Sequence, residues 1–116
     1  MNKRKTGQAY EQQAVRYLEG RGYTILERNY RCRAGEIDLI AKEGGYLVFI
    51  EVKFRADEKM GYGMESVDAS KQRRICRVAG RYLLERRIPD GQSCRFDVVS
   101  FAGADITLLQ DAFWCG

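Results

Sequence analysis

The sequence predicts an α/β protein, with helices packed on a mixed central sheet in the order α-β-β-β-α-β. Three observations carry that expectation. An apolar stripe at helical spacing runs through Ile75, Val78, Ala79, Tyr82 and Leu83. A Gly44-Gly45 pair separates two strand-like runs, which is a strong two-residue hairpin signal. The chain has 116 residues, 45% of them hydrophobic and 31% charged, with a single proline. That composition describes one folded domain over residues 1–116 with no repeat, linker or low-complexity tract.

The elements follow in order. Residues 8–19 read as a helix with Ala14, Val15 and Leu18 on one face, and Gly20 and Gly22 bracket its end. Residues 24–31 form a strand in which Ile25 and Leu26 precede polar residues. Gly35 leads into a second strand over residues 36–41, where Ile37, Leu39 and Ala41 alternate with Glu36, Asp38 and Ile40. A third strand runs from Tyr46 to about Phe54. Residues 56–65 contain Gly61 and Gly63 and read as a mobile loop before the striped helix. Pro89-Asp90-Gly91 is a turn, residues 94–101 a strand and residues 106–109 a short last strand.

The composition also excludes chemistry. The chain has no histidine, so a Ser-His-Asp or Cys-His nucleophile and a His-ligated zinc centre are ruled out. Acid–base or metal chemistry must run on carboxylates, lysine, tyrosine or thiols. The net charge is +4 and the pI near 9.0, but the basic residues cluster. Lys71, Arg73, Arg74, Arg77, Arg81, Arg86 and Arg87 stand against the single acid Glu85. A polyanionic partner fits such a helix. The cysteines Cys32, Cys76, Cys94 and Cys115 show no CxxC pair or metal-ligand spacing. No apolar run resembles a signal peptide or a membrane span, so four free thiols in a reducing cytoplasm are expected.

If Gly44 and Gly45 are the two central turn residues, cross-strand pairs have numbers adding to 89. Asp38 then lies opposite Glu51, on one face, with Cβ atoms about 4.5–5.5 Å apart. Lys53, two residues on, shares that face. Facing carboxylates repel, and a divalent ion bound by oxygen ligands relieves the repulsion. The competing reading is an ordinary solvated sheet face with a Glu–Lys pair. Glu11 shares the apolar face of the first helix, where it either reaches a cation or meets the amides of the helix N-terminus. Lys71 sits four residues before Ile75 on the core-facing stripe, where a lysine otherwise snorkels to solvent.

Asp38, the Glu51-Val52-Lys53 triplet and an upstream helical Glu11 resemble the active site of the PD-(D/E)xK nucleases, which share a restriction-endonuclease-like core. More closely, residues 7–18, 31–40 (with Gly35-Glu36-Ile37-Asp38-Leu39-Ile40), 49–55, 71–82 and 95–99 resemble the YraN-like bacterial family. That family is similar to archaeal Holliday junction resolvases and is described as endonucleases of unsettled role. Ile37 stands where the superfamily's name has proline. The resemblance implies Asp38 and Glu51 as ligands of Mg²⁺ or Mn²⁺, with the Val52 carbonyl as a third. It makes Lys53 the catalytic lysine, Glu11 an outer or second-metal carboxylate, and Lys71 a basic residue of the second helix. Arg55 and Arg74 become phosphate contacts, each with solvated surface arginine as the alternative, and Glu36 an extra ligand. The function expected is metal-dependent endonuclease cleavage of DNA, with branched DNA as one substrate. A non-catalytic nucleic-acid-binding module of a repair or recombination complex is the runner-up, and a small dimeric scaffold the third reading. The expected partners are DNA and, by analogy with the resolvases, a second copy of the chain. The loop over residues 56–65 and the C-terminal Phe113 and Trp114 are candidate contact surfaces.

Overall fold

A computed structural model of the chain describes residues 3–55 and 67–115, with the side chains of residues 3–7 and of Arg55 outside that description. The elements are α1 (Lys3–Gly20), β1 (Thr24–Cys32), β2 (Gly35–Glu43), β3 (Tyr46–Arg55), α2 (Ala69–Glu85), β4 (Cys94–Ala102) and β5 (Asp105–Leu109). They form one five-stranded sheet in the order β1-β2-β3-β4-β5. All neighbours are antiparallel except β3 and β4, which α2 joins as a parallel pair. The α-β-β-β-α-β order, the mixed sheet and the short last strand are as the sequence predicts, and that strand, β5, lies at the edge beside β4. The loop expected over residues 56–65 lies outside the described residues.

The β2–β3 hairpin forms for the reason its glycines suggest. Gly44 and Gly45 have φ of +57° and +86°, the backbone that a type I′ turn requires at both central positions. Glu43 pairs with Tyr46, and the register continues through Leu39 and Ile50. α1 packs Ala14, Val15 and Leu18 onto one face of the sheet, against Leu39, Ala41, Val48, Ile50, Val99 and Phe101. α2 packs Ile75, Val78, Ala79 and Tyr82 onto the other, against Ile37, Ile40, Leu47, Phe49, Phe96 and Val98. Asp68 caps α2, its Oδ1 accepting from the Lys71 amide at 2.8 Å.

Four expectations need correction. The first helix begins at Lys3, several residues before the predicted start, so Glu11 lies well beyond its first turn. The amide explanation for Glu11 therefore fails, because the helix-terminus effect fades within one turn. Ile37 does not share a face with Leu39 and Ala41. It packs on the α2 side while they pack on the α1 side, so strand alternation breaks at Asp38. Opposite that break in β1, Asn29 adopts a left-handed φ of +53°, which asparagine tolerates better than most residues. Cys76 and Cys115 form a disulfide, leaving only Cys32 and Cys94 free among the described residues. The C-terminal segment runs back along β4, where the Ala112 amide donates to the Phe96 carbonyl at 2.7 Å. Spacing along the sequence carries no sign of that return. The same return buries Phe113, whose ring stacks on Phe96 with centroids 4.9 Å apart. Phe113 is core; of the two candidate contact residues only Trp114 is exposed.

Candidate active site

The site forms where β2 and β3 part. Their backbone pairing ends at Leu39 and Ile50, one pair short of Asp38 and Glu51. Beyond that point the Asp38 side chain takes over from the backbone. Its Oδ2 accepts the Val52 N–H at 2.8 Å. A residue's N–H and C=O leave a strand on the same side, so the Val52 carbonyl also points into the gap that β2 has vacated. β3 meanwhile remains paired with β4 through Arg55, which holds Glu51, Val52 and Lys53 in place.

Alternation along β3 places Glu51 and Lys53 with Leu47 and Phe49 on the α2 face, since Val48, Ile50 and Val52 pack toward α1. Glu51 is only 8% exposed. Its carboxylate forms an ion pair with the Lys71 ammonium from the first turn of α2. Lys71 thus reaches the sheet instead of snorkelling away. Asp38 is half-buried beside Glu51, and its carboxyl is pushed up to about 8. Burial is the largest cause, followed by the charge of Glu51. The Val52 N–H opposes the shift, while the charge of Glu11 adds to it. Asp38 on β2 therefore feels the charge of two further acids, Glu11 from α1 and Glu51 from β3.

Glu11 is held at the sheet by Asn29, whose Nδ2 donates to Oε1 at 3.0 Å. The left-handed turn of backbone at Asn29 and the α1 carboxylate are thereby coupled. Lys53 is half-buried, with Ser100 as its register neighbour on β4. Glu36 accepts from Arg31 Nε across the β1–β2 hairpin at 3.1 Å. Arg74 is exposed on α2, and the Arg55 side chain lies outside the described residues.

The donor set is suited to a hard divalent cation. Two carboxylates meet where positive charge lowers their mutual repulsion, and a backbone carbonyl faces the same gap. Among the described residues, no three His, Cys, Asp or Glu side chains are grouped so as to hold an ion by themselves. The oxygens that could hold an ion are those of Asp38, Glu51 and the Val52 carbonyl, two side chains and one main-chain atom. Substrate and water oxygens would complete such a set, as Mg²⁺ sites usually require.

A second charged cluster went unread in the sequence. Asp97 is 1% exposed on the α1 face of β4. Its carboxylate accepts from Tyr23 Oη at 2.6 Å, from Arg95 Nε and Nη2 at 2.9 and 3.0 Å, and from the Asp111 amide at 2.9 Å. Arg95 also donates to Glu43 at 2.9 Å, and Gln110 donates to the Tyr23 hydroxyl at 2.9 Å. Burial and the bond to Asp97 push the Tyr23 hydroxyl up to about 12. Arg95 and Asp97, two apart in a strand, were the available signal; Tyr23, Glu43 and Gln110 come from distant parts of the chain.

A sequence profile described as uncharacterised protein family UPF0102 matches residues 10–101, which include Asp38, Glu51 and Lys71 of the candidate site and Arg95 and Asp97 of the second cluster, but not Gln110 or Asp111. A UPF0102 protein of Lachnoclostridium phytofermentans is 50% identical over 113 residues, covering 97% of this chain and 96% of that protein. Another, from Caldicellulosiruptor saccharolyticus, is 44% identical over 119 residues, covering 97% of this chain and all of that protein. A third, from Syntrophus aciditrophicus, is 47% identical over 113 residues, covering 94% and 88%. By profile and by these relatives, the chain belongs to the UPF0102 family.

Proposed function

We propose that this chain is a Mg²⁺- or Mn²⁺-dependent endonuclease that hydrolyses DNA phosphodiester bonds, with branched DNA as the first substrate to try. The observation that carries the reading is the meeting of Asp38 and Glu51 at the end of the β2–β3 ladder. There Asp38 is pushed up by burial and like charge, and Lys53 stands two residues along the same strand. Carboxyl groups perturbed by burial and a specific charged neighbour cluster at functional sites.

A divalent ion bound there would polarise the phosphate and offset the charge that develops in the transition state. Asp38, Glu51 and the Val52 carbonyl would hold it. The Lys53 ammonium orients the attacking water and lies close to the phosphate oxygens. Glu11, positioned by Asn29, adds negative charge behind Asp38 and favours cation binding. Lys71 keeps Glu51 in place and compensates its charge while it is buried. Arg55 and Arg74 contact the sugar-phosphate backbone, and no step needs an imidazole. Among the described residues no helix is long and apolar enough to cross a membrane. A cytoplasmic location and a homodimer belong to this proposal.

One observation favours the non-catalytic alternative. Lys71 already occupies an oxygen of Glu51, so part of the charge that a metal ion would neutralise is compensated within the chain. The two readings separate in a cleavage assay on labelled branched, single-stranded and duplex DNA with Mg²⁺, Mn²⁺ or chelator. The nuclease reading expects metal-dependent cleavage that Lys53→Ala removes. Equal behaviour of wild type and Lys53→Ala, with DNA binding retained, would favour the binding module.

A further inference from the structure

The basic run from Lys71 to Arg87 is not one surface. The tertiary structure sorts it into cations that already have a carboxylate and cations that do not. Lys71 is committed to Glu51. Arg81 Nε lies 3.3 Å from Glu85 Oε2. Arg86 grips Glu27 through two bonds, at 3.0 and 2.9 Å, with its guanidinium 5.2 Å from the centre of the Tyr82 ring. Arg73, Arg74 and Arg77, in the N-terminal half of the helix, and Arg87 beyond its end are exposed and have no side-chain partner among the described residues. Arg33, in the turn between β1 and β2, is likewise exposed and unpaired among those residues.

Arg33 stands in the turn that packs directly on the helix carrying Arg74 and Arg77. Cys32 and Ala34 lie against the α2-side core. Gly35 has φ +146°, and a Cβ added there would fall 3.1 Å from Arg74 Cδ and 3.5 Å from Val78 Cγ2. The absence of a side chain at Gly35 lets the Arg74 stem lie across the strand. That packing restricts the stem and lowers the entropy lost when the guanidinium takes up a ligand. Arg77 follows Arg74 on the same flank, one turn along. One turn in the other direction is Lys71, beside Glu51, so the surface runs up to the candidate centre.

We propose that a DNA backbone lies across the β1–β2 turn and the N-terminal half of α2, held by Arg33, Arg74 and Arg77, while Arg81 and Arg86 take no part. This rests on the nucleic-acid reading above and narrows it to a surface. Unpaired, exposed guanidinium groups bind phosphates without first giving up a carboxylate, whereas Arg86 must break two bonds to do so.

The test is binding of a labelled DNA duplex and a labelled four-way junction in chelator, by fluorescence anisotropy across a salt series. The variants are Arg33→Gln/Arg74→Gln/Arg77→Gln and Arg81→Gln/Arg86→Gln, each checked for folding by circular dichroism. The triple variant is expected to bind at least about tenfold more weakly at low salt. Its slope of log K against log salt should fall by two to three, at about 0.9 per lost phosphate contact on duplex DNA. The double variant is expected to change affinity less than about twofold. Arg33→Gln alone, in an exposed turn, should lower the slope by about one if the triple variant fails to fold. Equal losses in the two multiple variants, or none in the triple variant, would overturn the proposal while leaving the nucleic-acid reading intact. No DNA binding by the wild type at low salt would remove that reading itself. Binding of polyglutamate as tight as that of DNA would reassign the surface to an acidic protein.

Discussion

Two buried carboxylates occupy adjacent registers of one sheet and point to opposite faces. Asp97 stands beside Ile50, and Glu51 beside Val98. Asp97 has a guanidinium, a hydroxyl and a main-chain amide, all donating to it. Glu51 has one ammonium, and its other neighbour is a second carboxyl group. Both oxygens of Asp97 have donors, so the cluster pins the α1–β1 corner, the hairpin end and the C-terminal segment together. The Asp38–Glu51 pair has no such set of donors, and Asp38 answers the nearby charge by holding its proton. Burial alone does not separate a structural carboxylate from a functional one; the balance of donors and like charges around it does.

The sharpest break of that comparison is neutralisation on the functional side. Asp38→Asn keeps the shape and an acceptor for the Val52 amide but removes a ligand charge. Metal-dependent cleavage is expected to fall about 10³-fold or more, since several kcal/mol of transition-state stabilisation depend on a held ion. Single-turnover cleavage at saturating protein measures this. Retained cleavage would remove Asp38 from the site.

On the structural side the loss should appear in stability. Arg95→Ala strands Asp97 as a buried charge without its cation, at an expected cost of about 3–5 kcal/mol. Urea denaturation measures it, and the folded fraction should keep its specific cleavage rate. An unchanged midpoint would mean that Tyr23 and the Asp111 amide suffice for Asp97.

A smaller effect lies in pH. Asp38 is held up to about 8, while an unfolded aspartate titrates near about 4. Across that window the folded chain keeps a proton that the unfolded chain has lost. In chelator its stability should therefore fall as pH rises from about 4 to about 8, then level off. Thermal unfolding of wild type and Asp38→Asn checks this, and the variant should lack that part of the decline. An identical decline in both would assign it to other groups.

Much of this frame was legible because it is local. The stripe from Ile75 to Tyr82 and the Ala14, Val15 and Leu18 face each follow from the helical period. The Gly44-Gly45 turn sets the hairpin register, and with it the approach of Asp38 to Glu51. Extrapolating that register one pair too far hid two things. Asp38 leaves the ladder to accept the Val52 amide, and Ile37 changes face. Both lie opposite Asn29 on the next strand, whose left-handed backbone no period along β2 reports.

What the sequence determined by itself is the element order, the hairpin register, the core faces of both helices and the absence of imidazole chemistry. Each follows from neighbours a few residues apart or from composition. The tertiary structure alone decided which arginines are already paired, where the Lys71 ammonium points, that Cys76 meets Cys115, and that Asp97 is compensated while Asp38 is not. Those outcomes depend on charges brought together from distant parts of the chain. Electrostatic balance at a buried group is a sum over neighbours in space, and a sequence lists neighbours only along the backbone.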